Sequence, residues 1–140
     1  MSDADARLRA LKDRAALQDL VALYASLIGR GRGPELAALF TDEGVVAGGG
    51  RELSGAALSD FYNRMDQPGV TIPMVTNCVF EITGDTATGY ASLLGYDGPP
   101  EPRIFCGYYA DRFVRRDGRW LSARRDFTHF FGPPQAQPAV

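Results

Sequence analysis

The sequence predicts an α+β fold in which three N-terminal helices cover one face of a curved, mostly antiparallel sheet. Apolar residues in the first part of the chain recur at spacings of three and four, the signature of helices with one buried stripe. From Val70 onward the texture changes to β-branched and aromatic residues, punctuated by two-residue turn signals. Helices first and a strand meander after is an α+β order, and the helix-covered face of the sheet is then the place for a pocket.

Each element can be justified in turn. Between Ala6 and Ile28, residues Leu17, Leu20, Val21, Tyr24, Leu27 and Ile28 fall on one stripe of a long amphipathic helix. Gly29-Arg30-Gly31-Arg32-Gly33 ends it, and Pro34 opens a short second helix to about Phe40, because a first helical turn tolerates the missing N–H. Thr41-Asp42-Glu43-Gly44 reads as a turn, and Val45-Val46 and Arg51-Glu52-Leu53 as short strands around Gly48-Gly49-Gly50. Ser54 is placed to cap a third helix whose apolar positions are Leu58, Phe61, Tyr62 and Met65, closed by Pro68-Gly69. Four strands follow: Val70–Ile82, Thr86–Tyr96, Arg103–Arg115 and Arg119 to about Phe131. Gly84-Asp85 and Asp117-Gly118 suit tight hairpins, whereas Asp97-Gly98-Pro99-Pro100-Glu101-Pro102 is a stiffer, longer loop.

The 140 residues, 45% of them hydrophobic, are enough for one core, expected over residues 1–131, with a Pro- and Gln-rich tail at 132–140. Folding at this length removes roughly 70% of the extended chain's surface, which leaves scope to enclose a small ligand. Fifteen basic against 17 acidic residues leave a net charge of -2, spread along the chain, so no basic stripe for nucleic acid exists. The sequence has neither a long apolar run nor a charged-then-apolar leader, so a soluble cytoplasmic protein with no membrane partner is expected. Cys78 and Cys106 lie in apolar strand contexts without zinc spacing, and they read as reduced core thiols. No metal or other cofactor is called for.

Alternation in the last strand separates Leu121, Ala123, Arg125, Phe127, His129 and Phe131 from Trp120, Ser122, Arg124, Asp126, Thr128 and Phe130. The first set is the more apolar and is expected to face the helices, which puts Arg125 and His129 in or at the mouth of a hydrophobic cavity. His129, the one histidine, is suited to acid/base work near neutral pH, or else it is a hydrogen-bonded packing residue. Arg125 either binds an anionic ligand group or pairs with a protein acid, and a one-residue slip would put Arg124 in its place. Tyr24 could donate to a ligand oxygen or serve as amphipathic core, and Tyr109 and Asn77 carry the same two readings. Phe61, Phe105 and Phe127 are expected as apolar lining. The Gly29–Gly33 stretch matches no phosphate-loop pattern and reads as a flexible interhelix turn.

Several segments together resemble the SnoaL-like branch of the nuclear transport factor 2-like superfamily, over nearly the whole chain. They are Ala16-Leu17-Gln18-Asp19-Leu20 with Tyr24, Leu36 to Gly44, Val75-Thr76-Asn77, and Asp111 to Trp120 with its Arg116-Asp117-Gly118-Arg119 hairpin. The resemblance implies a cone-shaped α+β domain with a hydrophobic small-molecule pocket, of the kind found in scytalone dehydratase, hexachlorocyclohexane dehydrochlorinase and ketosteroid isomerase-type proteins. It implies a catalytic Asp near the end of the first helix and a His four residues before the Asn of the third strand. Gly29 and Pro73 stand at those positions here, while an arginine five residues after the hairpin tryptophan is kept as Arg125.

The resulting expectation is a cofactor-independent lyase, isomerase or cyclase acting by proton transfer on a small hydrophobic, cyclic or oxygenated molecule. His129 would be the acid/base, Tyr24 or Tyr109 the donor to developing negative charge, and Arg125 the electrostatic stabiliser. The alternative is a non-catalytic binding or accessory protein of the same fold without the dyad. Trp120 and Phe130, with Tyr90 or Tyr96, on the other face of the sheet lead to an expected homodimer.

Overall fold

The computed structural model describes residues 1–131 and bears out the α+β architecture; the expected tail at 132–140 lies outside the described residues. Helix α1 spans Asp3–Gly29, a 3-10 helix spans Gly33–Leu39, and α2 spans Gly55–Asn63. The strands are β1 Phe40–Gly48, β2 Arg51–Ser54, β3 Thr71–Thr83, β4 Thr86–Asp97, β5 Arg103–Arg116 and β6 Arg119–Phe131. They form one sheet in the order β2-β1-β6-β5-β4-β3, antiparallel throughout except for the parallel pair β1–β6.

Local chemistry explains the element ends. Ser2 and Asp5 form a reciprocal capping box at the start of α1, satisfying donors that the helix itself leaves free. Both central residues of the β5–β6 turn, Asp117 and Gly118, have positive φ (53° and 74°), the geometry that matches strand twist in a two-residue hairpin. The glycine-rich segment after α1 is more than a flexible turn. A Cβ on Gly33 would lie 2.1 Å from the Tyr62 carbonyl oxygen, so the chain and α2 touch backbone to backbone there. The Gly33 N–H donates to the Met65 carbonyl at 2.9 Å in the same contact.

Two apolar clusters share the covered face. One gathers Tyr24, Leu27, Ile28, Leu36, Phe40, Phe61, Tyr62, Phe105, Tyr109 and Phe127, and the other Leu17, Val21, Ala87, Ala91, Phe113 and Trp120. Asp13 ties α1 to the β5–β6 hairpin: its carboxylate accepts from Trp120 Nε1 at 3.1 Å and pairs with Arg115, whose guanidinium carbon stands 4.9 Å from the Trp120 ring centre.

Two expectations are corrected, and both corrections trace to bulges. Thr41–Gly44 is not a turn: it lies within β1, where the pairing with β6 shifts register between Phe40 and Val45. In β6 the register shift opposite Arg112–Phe113 puts Trp120 and Ser122 inside along with Arg125 and Phe127. Strict alternation therefore fails at residues 120–123 and holds from 125 onward, because an extra residue turns every side chain before it to the other face. Trp120 is buried and leaves the outer face to Tyr90, Tyr108 and Phe130.

Candidate functional site

Arg125 sits at the centre of the covered face, 3% exposed. Its Nε and Nη2 both donate to the Asp111 carboxylate at 2.8 Å, a bidentate pair on adjacent strands in direct register. The guanidinium lies between two phenol rings, 3.7 Å from the Tyr109 centroid and 4.3 Å from that of Tyr24. Tyr24 Oη and Tyr62 Oη share a hydrogen bond of 2.8 Å. Three tyrosines, an arginine and an aspartate thus form one closed polar cluster inside an apolar shell.

The electrostatics of the cluster follow from its burial. Loss of water raises the phenol pKa of Tyr24 and drives those of Tyr62 and Tyr109 well above 10, so all three stay neutral donors and acceptors. Burial works against the Arg125 charge, but the attraction and hydrogen bonds of Asp111 outweigh it, and the guanidinium is held charged even more firmly than in water. The space left beside Tyr24 and Arg125, lined also by Leu20, Val21, Phe40 and Ser122, measures about 10 Å³, one water molecule at most.

The sequence-predicted site residues do not converge on one open space. Arg125 faces inward as expected, and of the two readings left open for it the partner is a protein acid, Asp111. Tyr24 and Tyr109 lie against it, and Phe105 and Phe127 belong to the same packed core. His129 is half-buried at the end of β6, opposite Gly107, with its ring 6.2 Å from that of Phe127 and its Nε2 covered and unpartnered. Asn77 is exposed, in a left-handed conformation (φ 53°) at the β3 bulge, and its amide donates outward to Ser92 Oγ at 3.4 Å. The bulge gives the covered face to its neighbour Cys78 instead.

The roomy space lies at one end of the fold, where the last turn of α1, the end of α2, the start of β3 and the β4–β5 loop meet. This end cavity has a volume of about 370 Å³. Ile28, Phe61, Met65 and Val70 supply apolar wall, and Thr71, Asp97, Arg103, Arg64, Gln67 and Glu101 supply polar groups. Of the predicted lining residues, Phe61 is the one found here. Gly29 adjoins this end of α1: a Cβ there would meet nothing within 4 Å, and its carbonyl accepts from Gly69 N–H at 3.0 Å. Pro73 is buried in β3, opposite Gly95. Two larger crevices on other sides, one with Glu43, Glu81, Arg112 and Arg124 and one with Asp42, Arg116 and Arg119, are open and charged, unlike a pocket for an apolar molecule.

Comparison with known proteins agrees with this geometry. The profile of the SnoaL-like domain matches residues 9–126. The chain belongs to the SnoaL-like family. Its fold is shared by a candidate scytalone dehydratase from Novosphingobium aromaticivorans, with 20% identity, TM-score 0.80, and coverage of 89% of this chain and 88% of that one. A hexachlorocyclohexane dehydrochlorinase, LinA-type3, from Novosphingobium barchaimii shows 22% identity and TM-score 0.79 over 91% and 93% of the two chains. An NTF2-like protein with a cystatin-like fold, also from Novosphingobium aromaticivorans, shows 24% identity and TM-score 0.77 over 96% and 93%. No curated protein sequence gives a significant match. This SnoaL-like chain therefore shares the NTF2-like fold of these proteins.

Tyr62, Asp111, Asp97, Arg103 and Thr71 are among the polar residues that sequence reasoning did not single out. Tyr62 was visible only as an apolar helical position, and Asp111 only as part of the hairpin motif. Asp97 had a signal, since a carboxylate ends a predicted strand at the edge of a Pro-rich loop. Among the described residues no group of three or more His, Cys, Asp or Glu side chains is arranged to hold a metal ion, and no helix is long and apolar enough to cross a membrane.

Proposed function

We propose that this protein holds a small, largely apolar molecule in the end cavity. The observation that carries this reading is the cavity itself: about 370 Å³ with apolar walls and a few polar groups at one side, the size and composition typical of small-molecule sites. Gly29 and Pro73 cannot transfer a proton, and the Tyr24–Tyr62 and Arg125–Asp111 pairs are already occupied with each other. Both points support binding over dyad-type elimination. A thermal-shift screen against terpenoids, phenols and cyclic ketones, with each mixture analysed by mass spectrometry, tests the reading. A ligand that stabilises the protein and is recovered intact, with Val70→Trp abolishing the effect, is the expected result; no stabilising compound would count against it.

The second reading is a cofactor-independent lyase, isomerase or cyclase working by proton transfer. The buried carboxylate of Asp97 in the cavity wall favours it, as the one acid there that is shielded from water. With His129 as acid/base, Tyr24 as donor and Arg125 as stabiliser, this reading needs a substrate that reaches residues outside the lining of the end cavity. Conversion of a bound compound that stops in His129→Gln would establish that form; conversion unaffected by it would remove His129 from the chemistry.

We also propose a homodimer formed through the outer face of the sheet. Its support is a run of exposed apolar side chains on neighbouring strands: Met74, Val79, Tyr90, Leu94, Ile104 and Phe130, each more than 40% exposed.

A further inference from the structure

The polar side of the end cavity is asymmetric in a way that selects a ligand. Asp97 is 9% exposed, and only one of its oxygens is engaged: Thr71 Oγ1 donates to Oδ1 at 2.9 Å. The other, Oδ2, faces Arg103 Nη2 across 3.7 Å, too far for a hydrogen bond. The Arg103 guanidinium makes no hydrogen bond among the described residues, and its Nε is covered and unpartnered. A free acceptor and a free donor thus stand side by side on an apolar-walled cavity. The covered Nε of Arg103 is a donor that burial makes costly to leave unpaired.

We propose that the end cavity recognises neutral, apolar-framed molecules carrying a hydroxyl and a carbonyl on adjacent carbons, with the hydroxyl donating to Asp97 Oδ2 and the carbonyl accepting from Arg103. This deepens the binding reading above and rests on it. The 3.7 Å gap between acceptor and donor is compatible with two ligand oxygens on neighbouring carbons, each meeting one of the two groups. Charge decides against a carboxylate ligand. Asp97 stands within ion-pair distance of Arg103, so an anion placed at that pair would meet the like charge of the Asp97 carboxylate, while Arg64 and Glu101 are exposed parts of the lining.

The test is a set of matched probes on the intact protein: benzoin, deoxybenzoin without the hydroxyl, 1,2-diphenylethanol without the carbonyl, bibenzyl without either, and diphenylacetate as the anion. Binding is measured by calorimetry to the wild type and to Asp97→Asn and Arg103→Met. Benzoin is expected to bind tightest. Loss of either polar group should weaken binding about tenfold or more, the effect of one hydrogen bond to a charged partner. Arg103→Met should cost benzoin and deoxybenzoin the same factor and leave diphenylethanol unchanged. Asp97→Asn should affect benzoin and diphenylethanol but not deoxybenzoin. Bibenzyl should bind all three proteins equally, which also shows that the variants keep the cavity. Bibenzyl binding as well as benzoin, or diphenylacetate binding better, would overturn this proposal while leaving the cavity reading in place. Failure of every probe, bibenzyl included, would overturn both.

Discussion

At the scale of single residues, the Arg125–Asp111 pair has the clearest energetic consequence. Removing one member of a buried, bidentate ion pair strands the other charge in the core. Asp111→Ala should therefore lower stability by about 3–5 kcal/mol. Asp111→Ala with Arg125→Met should recover much of that loss, because no charge remains buried; urea denaturation of the two variants and the wild type measures it. The buried phenols make a separate prediction about pH. Unfolded tyrosines ionise near pH 10, whereas burial holds Tyr24, Tyr62 and Tyr109 protonated above that value. Their contribution is complete below about pH 10. Above it the unfolded chain has released protons that the folded chain keeps, so stability falls as pH rises. Each such group steepens the fall by about 1.4 kcal/mol per pH unit. Tyr62→Phe should make the alkaline slope visibly shallower, and an unchanged slope would mean that Tyr62 is not held neutral by the fold.

Elements were legible in the sequence wherever a local pattern decides them. The helical stripe from Leu17 to Ile28, the Ser54 boundary and the two hairpin turns are local signals, and the structure has an element boundary at each. The bulges at Asn77 and opposite Arg112–Phe113 were not legible, because they depend on how one strand meets its neighbour. The same two bulges decided the site: one turned Asn77 outward, and the other reversed the faces of residues 120–123. The Asp111–Arg125 pair was half legible, since inward alternation gives Arg125 while the partner follows only from β5–β6 register. The burial of Trp120 has a testable consequence at this scale, because Asp13 on α1 is its hydrogen-bond partner. Asp13→Ala should leave Trp120 Nε1 and Arg115 Nη1 without their acceptor, cost about 1–3 kcal/mol, and loosen the first half of α1 from the hairpin. As Trp120 is the one tryptophan, its fluorescence reports the change directly. Proteolysis within residues 3–16 should rise in parallel, and unaltered emission together with unaltered cleavage would contradict the anchoring role.

For the whole molecule, the two faces of the sheet differ: one is packed beneath the helices, and the other leaves apolar side chains exposed. The covered face is filled by aromatic side chains and the Arg125 cluster, so ligand space is displaced to the end where α1, α2 and the β4–β5 loop meet. The outer face carries the Tyr90–Tyr108–Phe130 stack, with ring centres 6.2 and 5.3 Å apart, continuous with Met74, Val79, Leu94 and Ile104. A monomer leaves this apolar area in water, which favours burial against a second copy of the same surface, since a two-fold interface needs only self-complementarity. A stable pairing requires roughly 1,200–2,000 Å² of buried surface, which a four-strand face can supply. Phe130 is 65% exposed and Tyr90 57%, so charge placed there disturbs the interface more than the core. Tyr90→Glu with Phe130→Glu should convert a sedimenting dimer to a monomer while unfolding at nearly the same temperature. A wild-type chain that sediments as a monomer at micromolar concentration would refute the dimer. Equal ligand binding by dimer and engineered monomer would then establish that the end cavity functions without the interface.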